Sequence, residues 1–385
     1  MKILLRAPVL TSSGYGVHSR QIFDWLHKIE NIDLTVECLN WGKTPWLLNH
    51  DLEKGLVGKI MSYSKKLEPP YDITFQVQLP DEWDPSLGKK NIGITAAVET
   101  DQCNPKWITA CNAMDEIIVP STFTKKVLKN SGVCLKPINV VHEYFNDIIL
   151  ENRTDIHDVK FPTAFNFLIV GQMGAMNAQD DRKNIFNTID AIMHACQDRK
   201  DIGIVIKTNL SKGTAIDRQL CINTFKKMKE AISTKYKNRI YLIHGNMSNS
   251  EIASLYTHPQ INCLITGTRG EGFGLPIIEA AAAGLPVIAT NWSGHLDFLG
   301  DKFVKVNYEL TEISKSRIDN RIFFKGFKWA NPDIHHFKNK IIEFITNEKF
   351  YKENALSLKA DVRNNFSKQQ SHAKYEKIFR KIIEV

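Results

Sequence analysis

The 385-residue chain has no apolar run long enough to cross a bilayer, no C-x-x-C pair, no low-complexity tract and no internal repeat of solenoid period. Each absence excludes something. A spanning helix needs roughly 20 consecutive apolar residues, and none occur. The opening Met1-Lys2-Ile3-Leu4-Leu5-Arg6 meets Arg6 and Pro8 too early for a secretory signal and reads as a buried first strand. Seven cysteines, odd in number and scattered, suggest neither a disulfide framework nor a zinc site, and a reducing cytoplasm suits them best. Concentrated charge of one sign is also missing. The net charge of +8 is modest, and the doublets Lys65-Lys66, Lys89-Lys90, Lys125-Lys126 and Lys226-Lys227 are dispersed. They read as solvated faces, so any basic patch has to be assembled by folding.

What remains is a folded chain. Hydrophobic residues make up 43% and charged residues 24%, the balance of a globular protein, and the length points to two domains with separate cores. Short apolar runs alternate with helical stretches throughout, the α/β pattern of parallel sheets covered by helices on both faces. The strand candidates of the first half are 3–5, 34–39, 73–79, 92–98, 117–119 and 138–141. Those of the second half are 165–170, 202–206, 240–243, 261–265 and 287–289. Between the halves, 146–163 is polar, lacks periodicity and reads as a linker. The expected division is 1–150, 151–365 and a C-terminal helix over 366–385 that crosses back to the first domain. Ser248-Asn249-Ser250-Glu251 has capping-box spacing and places 252–256 on a helix.

The most informative stretch is Thr268-Arg269-Gly270-Glu271-Gly272-Phe273-Gly274-Leu275-Pro276-Ile277-Ile278-Glu279, after one buried strand and ahead of Ala280 to Ala283. Glycines allow close backbone approach, and proline suits a first helical turn, where its missing N–H costs nothing. Unpaired amides and the positive end of the helix dipole favour an anion, while Glu271 and Glu279 offer carboxylates to hydroxyls. Together these fit a sugar diphosphate. The plainer reading is a tight turn in which Glu279 complements the dipole from the first helical turn.

This E-x7-E pattern around G-F-G-L-P, followed by an alanine-rich helix and Gly284-Leu285-Pro286-Val287, resembles the donor site of family-four retaining glycosyltransferases. The resemblance implies the GT-B fold: two Rossmann-like domains facing across a cleft, the donor mainly on the second and the acceptor mainly on the first. It implies that Glu271 contacts the transferred sugar, that amides around Gly272, Phe273, Gly274 and Leu275 hold sugar and phosphate, and that Glu279 grips the ribose. Gly171 with Arg182 and Lys183 is similar to the family's strand-glycine-arginine segment and downstream lysine, which clamp the diphosphate. Gln172 stands where the family has arginine, so Lys207, Arg182 or Arg269 is expected to supply that charge. For Arg269 an internal ion pair with Glu271 is the alternative; Lys207 ends a strand where open sheets bind ligands, with a plain solvated lysine as its alternative.

In the first half, Thr11-Ser12-Ser13-Gly14-Tyr15-Gly16 resembles the family's N-terminal glycine loop, which closes over the donor diphosphate. Ser19 in place of a third glycine disfavours a nicotinamide enzyme. Glu99 stands where the family shows a histidine near the acceptor, and is expected either to orient or deprotonate the acceptor hydroxyl or to act as a cap. His295 either faces the cleft or is structural. No D-x-D occurs, so no metal and no cofactor are expected beyond the nucleotide-sugar substrate, and leaving-group charge falls to cations and amides.

More narrowly, the whole chain is similar to glycosyltransferases encoded by large tailed phages, some of which decorate hydroxymethylated cytosine in DNA. Trp41, Lys43 and Trp46 would suit a duplex with an extruded base. The competing acceptor is a cell-surface glycan or lipid precursor reached by a peripheral enzyme, although no amphipathic anchor is evident in the sequence. A third reading is a catalytically silent nucleic-acid-binding protein that retains the fold. No obligate protein partner is expected.

Overall fold

The computed structural model describes residues 1–173, 177–232 and 238–383. The chain divides into two compact units. Unit 1 comprises Met1–Tyr144, Asn320–Phe324 and Lys368–Val385, and unit 2 comprises Phe145–Asp319 and Lys325–Ser367.

Unit 1 is built on β1 (Lys2–Ala7), β2 (Asp33–Cys38), β3 (Tyr71–Val77), β4 (Gly88–Ile94), β5 (Glu116–Val119) and β6 (Ile138–Val140), all pairing in parallel in the order β2-β1-β3-β4-β5-β6. Its helices are α1 (Gly14–Leu26), α2 (Leu56–Tyr63), α3 (Pro105–Ala113) and α4 (Thr122–Asn130). Unit 2 repeats the plan with β7 (Phe165–Val170), β8 (Ile202–Thr208), β9 (Arg239–His244), β10 (Cys263–Thr266), β11 (Val287–Thr290) and β12 (Val304–Val306), parallel in the order β12-β11-β10-β7-β8-β9. Its helices are α5 (Ile185–Ala195), α6 (Ala215–Ile232), α7 (Asn249–Tyr256), α8 (Leu275–Ala283), α9 (Leu296–Leu299), α10 (Ile334–Thr346) and α11 (Glu348–Asn365). An antiparallel pair, β13 (Tyr308–Glu312) and β14 (Lys328–Pro332), brackets the stretch that carries Asn320–Phe324. The last helix, α12 (Lys368–Ile383), is part of unit 1.

Why these residues form these layers follows from burial. Strands covered on both faces read as continuous apolar runs, and all seven residues of β8 are buried. Two apolar clusters flank the unit 2 sheet, one centred on Leu168, Val205 and the alanines of α8, the other on Phe167, Ile204, Ile206 and Phe344. In unit 1, Ile22, Phe23 and Leu26 of α1 pack with Phe75 and with Tyr375 and Phe379 of α12. Trp25 stacks on Tyr375 at 5.2 Å and meets Phe379 edge-on at 5.7 Å. The capping box at Ser248 is formed, its hydroxyl accepting from Glu251 N–H and the Glu251 carboxylate accepting from Ser248 N–H.

Three departures from the sequence reading have physical causes. The strand read as 92–98 stops at Ile94, because the Tyr15 hydroxyl takes the Ala96 N–H and Ala97 turns to φ +51°. The polar stretch read as a linker carries a 3-10 turn at Asp147–Glu151, and its Ile149 and Phe161 are buried in the unit 2 core. Strands β12, β13 and β14 were not foreseen; β12 has three residues, too few for a period to register. No helix of the described residues is long and apolar enough to cross a membrane, and all seven cysteines are free.

Because Phe379 is 4% exposed and wedged against Trp25 and Phe75, Phe379→Ala is expected to remove about 3–5 kcal/mol from unit 1. Urea unfolding followed by tryptophan emission measures this as an earlier transition.

Candidate active site

Strand order reverses in unit 2 between β7 and β10, which lie side by side with their exits in opposite senses of the winding. Loops leaving the carboxyl ends of such a pair bound the crevice where open α/β sheets bind ligands. The β7 exit carries Gly171, Gln172, Arg182 and Lys183. The β10 exit carries the stretch from Gly267 to Gly274 and runs into α8.

The two exits meet at Glu271. Its carboxylate, on a residue only 6% exposed, accepts from Lys183 Nζ at 2.7 Å on both oxygens, from Thr268 Oγ1 at 2.8 Å, and lies 3.5 Å from Arg182 Nη1. Burial alone would raise such a carboxyl, but Lys183 and Arg182 outweigh it and hold Glu271 at about 2. Arg182 also donates to the Gly270 carbonyl. Lys183 is steered by Asp181, fully buried, whose carboxylate accepts from the amides of Lys183 at 3.1 Å and Ile185 at 2.8 Å and so serves the start of α5. Sequence reasoning missed Asp181; an aspartate just ahead of an apolar-periodic helix is the signal that marks it.

The loop is braced from behind. Glu271 N–H donates to Ser293 Oγ at 2.9 Å, and Gly294 N–H donates to the Glu271 carbonyl at 2.9 Å. A Cβ on Gly294 would fall 2.2 Å from the Gly272 carbonyl oxygen, so only glycine fits there. His295, fully buried, binds the Thr290 carbonyl through Nε2 at 2.7 Å and reaches Ser293 Oγ through Nδ1 at 3.4 Å. It is a structural histidine that orients the serine. Ser293 holds φ +90°, strained for a residue with a side chain, a feature that concentrates at functional sites. Ser293 and Gly294 were not among the expected site residues, although a Ser-Gly pair after a strand is a turn signal. Gly274 stands at φ +107° as N-cap of α8, with no side-chain cap, and Leu275 opens the helix. Phe273 turns its ring into the core against Phe298, so its contribution to a ligand is limited to its backbone.

Other expected residues take separate places. Glu279 lies in the second turn of α8, since the first-turn residues are Leu275 to Ile278 and none is acidic. A dipole effect fades within the first turn, so the helix-complementing reading is lost. Burial instead pushes the Glu279 carboxyl up to about 7, partly offset by the Tyr256 hydroxyl donating to Oε2 at 3.3 Å. It borders a small pocket shared with Asn146, Asn249 and Ile252. Arg269 does not pair with Glu271. Its guanidinium, on a residue 6% exposed, lies 5.0 Å over the Trp329 ring and donates to the Gln179 carbonyl at 2.6 Å. Lys207, at the end of β8, donates to the Gly245 carbonyl at 2.8 Å and to Asn209 Oδ1 at 3.1 Å; burial pushes its ammonium down to about 8. Gln172 is exposed. The cation standing beside Lys183 on Glu271 is therefore Arg182.

In unit 1 the reversal lies between β1 and β3, and the β1 exit carries the glycine loop. Ser13 Oγ caps α1 by accepting from Gly16 N–H at 2.9 Å. Gly16 is required by packing, because a Cβ would fall 2.0 Å from the Thr11 carbonyl oxygen, whereas Gly14 has open space on that side. Arg20 supports the loop from below through the Val9 and Thr11 carbonyls. Tyr15 stacks on Trp41 with centroids 3.8 Å apart, and its hydroxyl joins Thr95 Oγ1 at 3.0 Å and Ala96 N–H at 2.9 Å. Glu99 follows β4 on the same loop, half-buried, and acts electrostatically on Tyr15. Beneath lie His18, hydrogen-bonded to the Tyr375 hydroxyl at 3.1 Å, and Glu143, which burial pushes up to about 8 and whose Oε2 has no hydrogen-bond partner. No local signal marks Glu143; its burial arises only when the chain folds around it.

No curated protein matches the chain in sequence. Residues 172–362 match the family model described as glycosyl transferases group 1. Among solved structures, HepE from Anabaena, in complex with UDP and glucose, superposes with a TM-score of 0.66 at 12% identity, covering 99% of this chain and 100% of that one. A glycosyltransferase from Rickettsia africae gives 0.64 at 16% identity over 99% and 98% of the two chains. Sucrose-phosphate synthase from Thermosynechococcus elongatus gives 0.64 at 13% identity over 100% and 99%. At such identities the likeness speaks for the fold. The cation-braced glycine loop lies wholly inside the matched segment, and the chain is accordingly a two-domain α/β protein of the GT-B fold whose residues 172–362 are similar to the glycosyl transferases group 1.

Proposed function

We propose that the protein is a metal-independent, retaining glycosyltransferase that moves a sugar from a nucleoside-diphosphate sugar to a hydroxyl. The observation that carries this reading is the ion triad on the glycine loop: Glu271 as the shared counter-charge of Lys183 and Arg182, a net positive site at the entrance to α8. A helix N-terminus attracts phosphate, and a diphosphate arriving there competes for both cations. Glu271, still tied to the Thr268 hydroxyl, then has an oxygen free to accept from a sugar hydroxyl while the cations stay close enough to keep it charged. Glu279, one turn further along the helix, is assigned to the ribose, and Gly171, Gly272, Gly274 and Leu275 to backbone contacts. In unit 1, Gly14, with open space beside it, is assigned to ligand contact and Glu99 to orienting the acceptor. HepE's complexes with UDP-glucose and with UDP and glucose support a donor of this class.

The chemistry asks little covalent work of the protein. The bond from the anomeric carbon to the diphosphate breaks, the acceptor oxygen bonds to the same face, and the acceptor proton passes to the departing diphosphate. Lys183 and Arg182 stabilise the charge that develops on the leaving group. Among the described residues no three His, Cys, Asp or Glu side chains are grouped to hold a metal.

For the acceptor we retain hydroxymethylated cytosine in DNA, supported by Lys43 and by Trp46, 38% exposed and bridged to Thr11 of the glycine loop. Trp41 contributes less than the sequence implied, since one of its faces is taken by Tyr15. The protein is to be incubated with radiolabelled nucleotide sugars and either modified DNA or lipid extract. Label in DNA supports this acceptor; label in lipid and never in DNA removes it.

Two outcomes test the donor site. Glu271→Gln keeps the size of the side chain and removes its charge, so nucleoside-diphosphate affinity is held or raised while turnover falls about 100-fold or more. Calorimetric titration beside a turnover assay separates the two, and unimpaired turnover would sink the assignment. Glu271→Ala is a poorer probe, because it strands two partly buried cations.

The second outcome is a pH dependence. Glu279 gains its charge only as pH rises through about 7, and an ionised carboxylate accepts from both ribose hydroxyls. Donor affinity is expected to rise about tenfold from about pH 6 to about pH 8, and Glu279→Gln to abolish the slope. Stability of the unliganded protein moves the other way. The folded carboxyl holds its proton more tightly than the unfolded one, so its contribution falls as pH rises from 4.5 through about 7.

A further inference from the structure

Val133 and Leu135 are the two most exposed large apolar side chains of the described residues, at 77% and 79%. Singly exposed aliphatics are ordinary; this pair is not arranged like a chance exposure. The intervening Cys134 is half-buried, its thiol donating to the Lys136 carbonyl at 3.7 Å, while the residues on either side are both exposed. The backbone that presents them is pinned by one side chain: Asn112 donates to the Val133 carbonyl at 3.0 Å and accepts from Leu135 N–H at 2.7 Å. Ser131, just before them, accepts from Cys103 N–H at 2.8 Å and donates to the Val127 carbonyl at 2.7 Å. A loop tied to α3 and α4 in this way holds its apolar tip out in water rather than letting it fold back.

The loop and α4 carry charge of one sign, while the nearby Asp115 and Glu116, beside the loop's end where Ile117 N–H donates to the Pro137 carbonyl, are engaged by the Asn91 amide and the Asn139 side chain. From Ile117 to His142 there is no aspartate or glutamate, while Lys125, Lys126, Lys129 and Lys136 fall in the same stretch, and α3 alongside carries Lys106 and no acid. Lys126 and Lys129, both exposed, are three apart on α4 and share a face in the turns that lead into the loop. By contrast, the exposed Leu52 and Phe350 have acidic neighbours, Asp51 and Glu53 for one and Glu348 and Glu353 for the other.

From these observations we infer that the loop 131–136, with the lysines of α4, is a docking surface for an anionic lipid bilayer: Val133 and Leu135 enter the headgroup region and the lysines meet lipid phosphates. Two protruding aliphatics that follow the exposed lysines of α4 match an interface that is apolar within and negative at its surface. Duplex DNA offers the negative charge and nothing for the aliphatics. The sequence reading looked for an amphipathic helix as anchor; the structure supplies a pinned loop instead. The surface lies wholly on unit 1 and is independent of the transfer chemistry and of the acceptor proposed above.

The test needs neither donor nor acceptor. The full-length protein is sedimented with phosphatidylcholine vesicles with and without about one-third phosphatidylglycerol, and binding to a duplex oligonucleotide is measured in parallel. Wild type is expected to partition onto the anionic vesicles and to be released by salt. The double variant Val133→Ser, Leu135→Ser is expected to lose about tenfold in partition, with unchanged thermal midpoint and unchanged duplex binding. Lys126→Gln with Lys129→Gln is expected to lose about tenfold or more. Failure of the wild type to bind anionic vesicles overturns the inference. So does equal partition of wild type and the serine variant, which would reduce the surface to general attraction for polyanions.

Discussion

Everything at the loop between β10 and α8 depends on one buried carboxylate. Glu271 sits at the point where the exits of β7 and β10 converge, and without it Lys183 and Arg182 would face each other with no counter-charge in a poorly hydrated crevice. The triad is stable as it stands, since its oxygens are engaged by a lysine, an arginine and a threonine hydroxyl. Under the proposed function it is also exchangeable: a second anion takes over the cations without opening the core, and the charges held by Glu271 in the resting protein pass to the ligand.

That exchange is useful only on a platform that does not move. The brace from Ser293, Gly294 and His295 fixes the backbone of the loop from one side, and Asp181 fixes the start of α5 from the other. Gly294 and Gly274 are set by geometry: one by a carbonyl with no room for a methyl group, the other by a left-handed backbone at the helix entrance. The first of these glycines serves protein packing, and the second the turn into α8.

Unit 1 answers with a different kind of tension. Its glycine loop rests on buried titratable groups: His18 held down to about 4 by burial, Glu143 held up near 8, and the phenols of Tyr15 and Tyr375 raised by burial. Helix α12 closes over this region and contributes the aromatic faces that keep it dry. Keeping such groups neutral costs stability that the apolar contacts of Phe75, Trp25 and Phe379 offset.

The sequence by itself determined the parallel strands and their alternation with helices, since strands buried on both faces must be apolar throughout. It likewise determined the order of strand, glycine loop and alanine-rich helix around Glu271 and Glu279, because backbone demands at a tight turn admit few residues. Only tertiary structure decided which cation serves which carboxylate. Arg269 is next in sequence to the loop yet faces Trp329, while Arg182 and Lys183, some ninety positions earlier, reach Glu271 because β7 and β10 are neighbours in the sheet. Strand adjacency, the burial of Glu143 and the outward set of Val133 and Leu135 all arise from contacts between segments distant in the chain, where no local period or spacing carries the information.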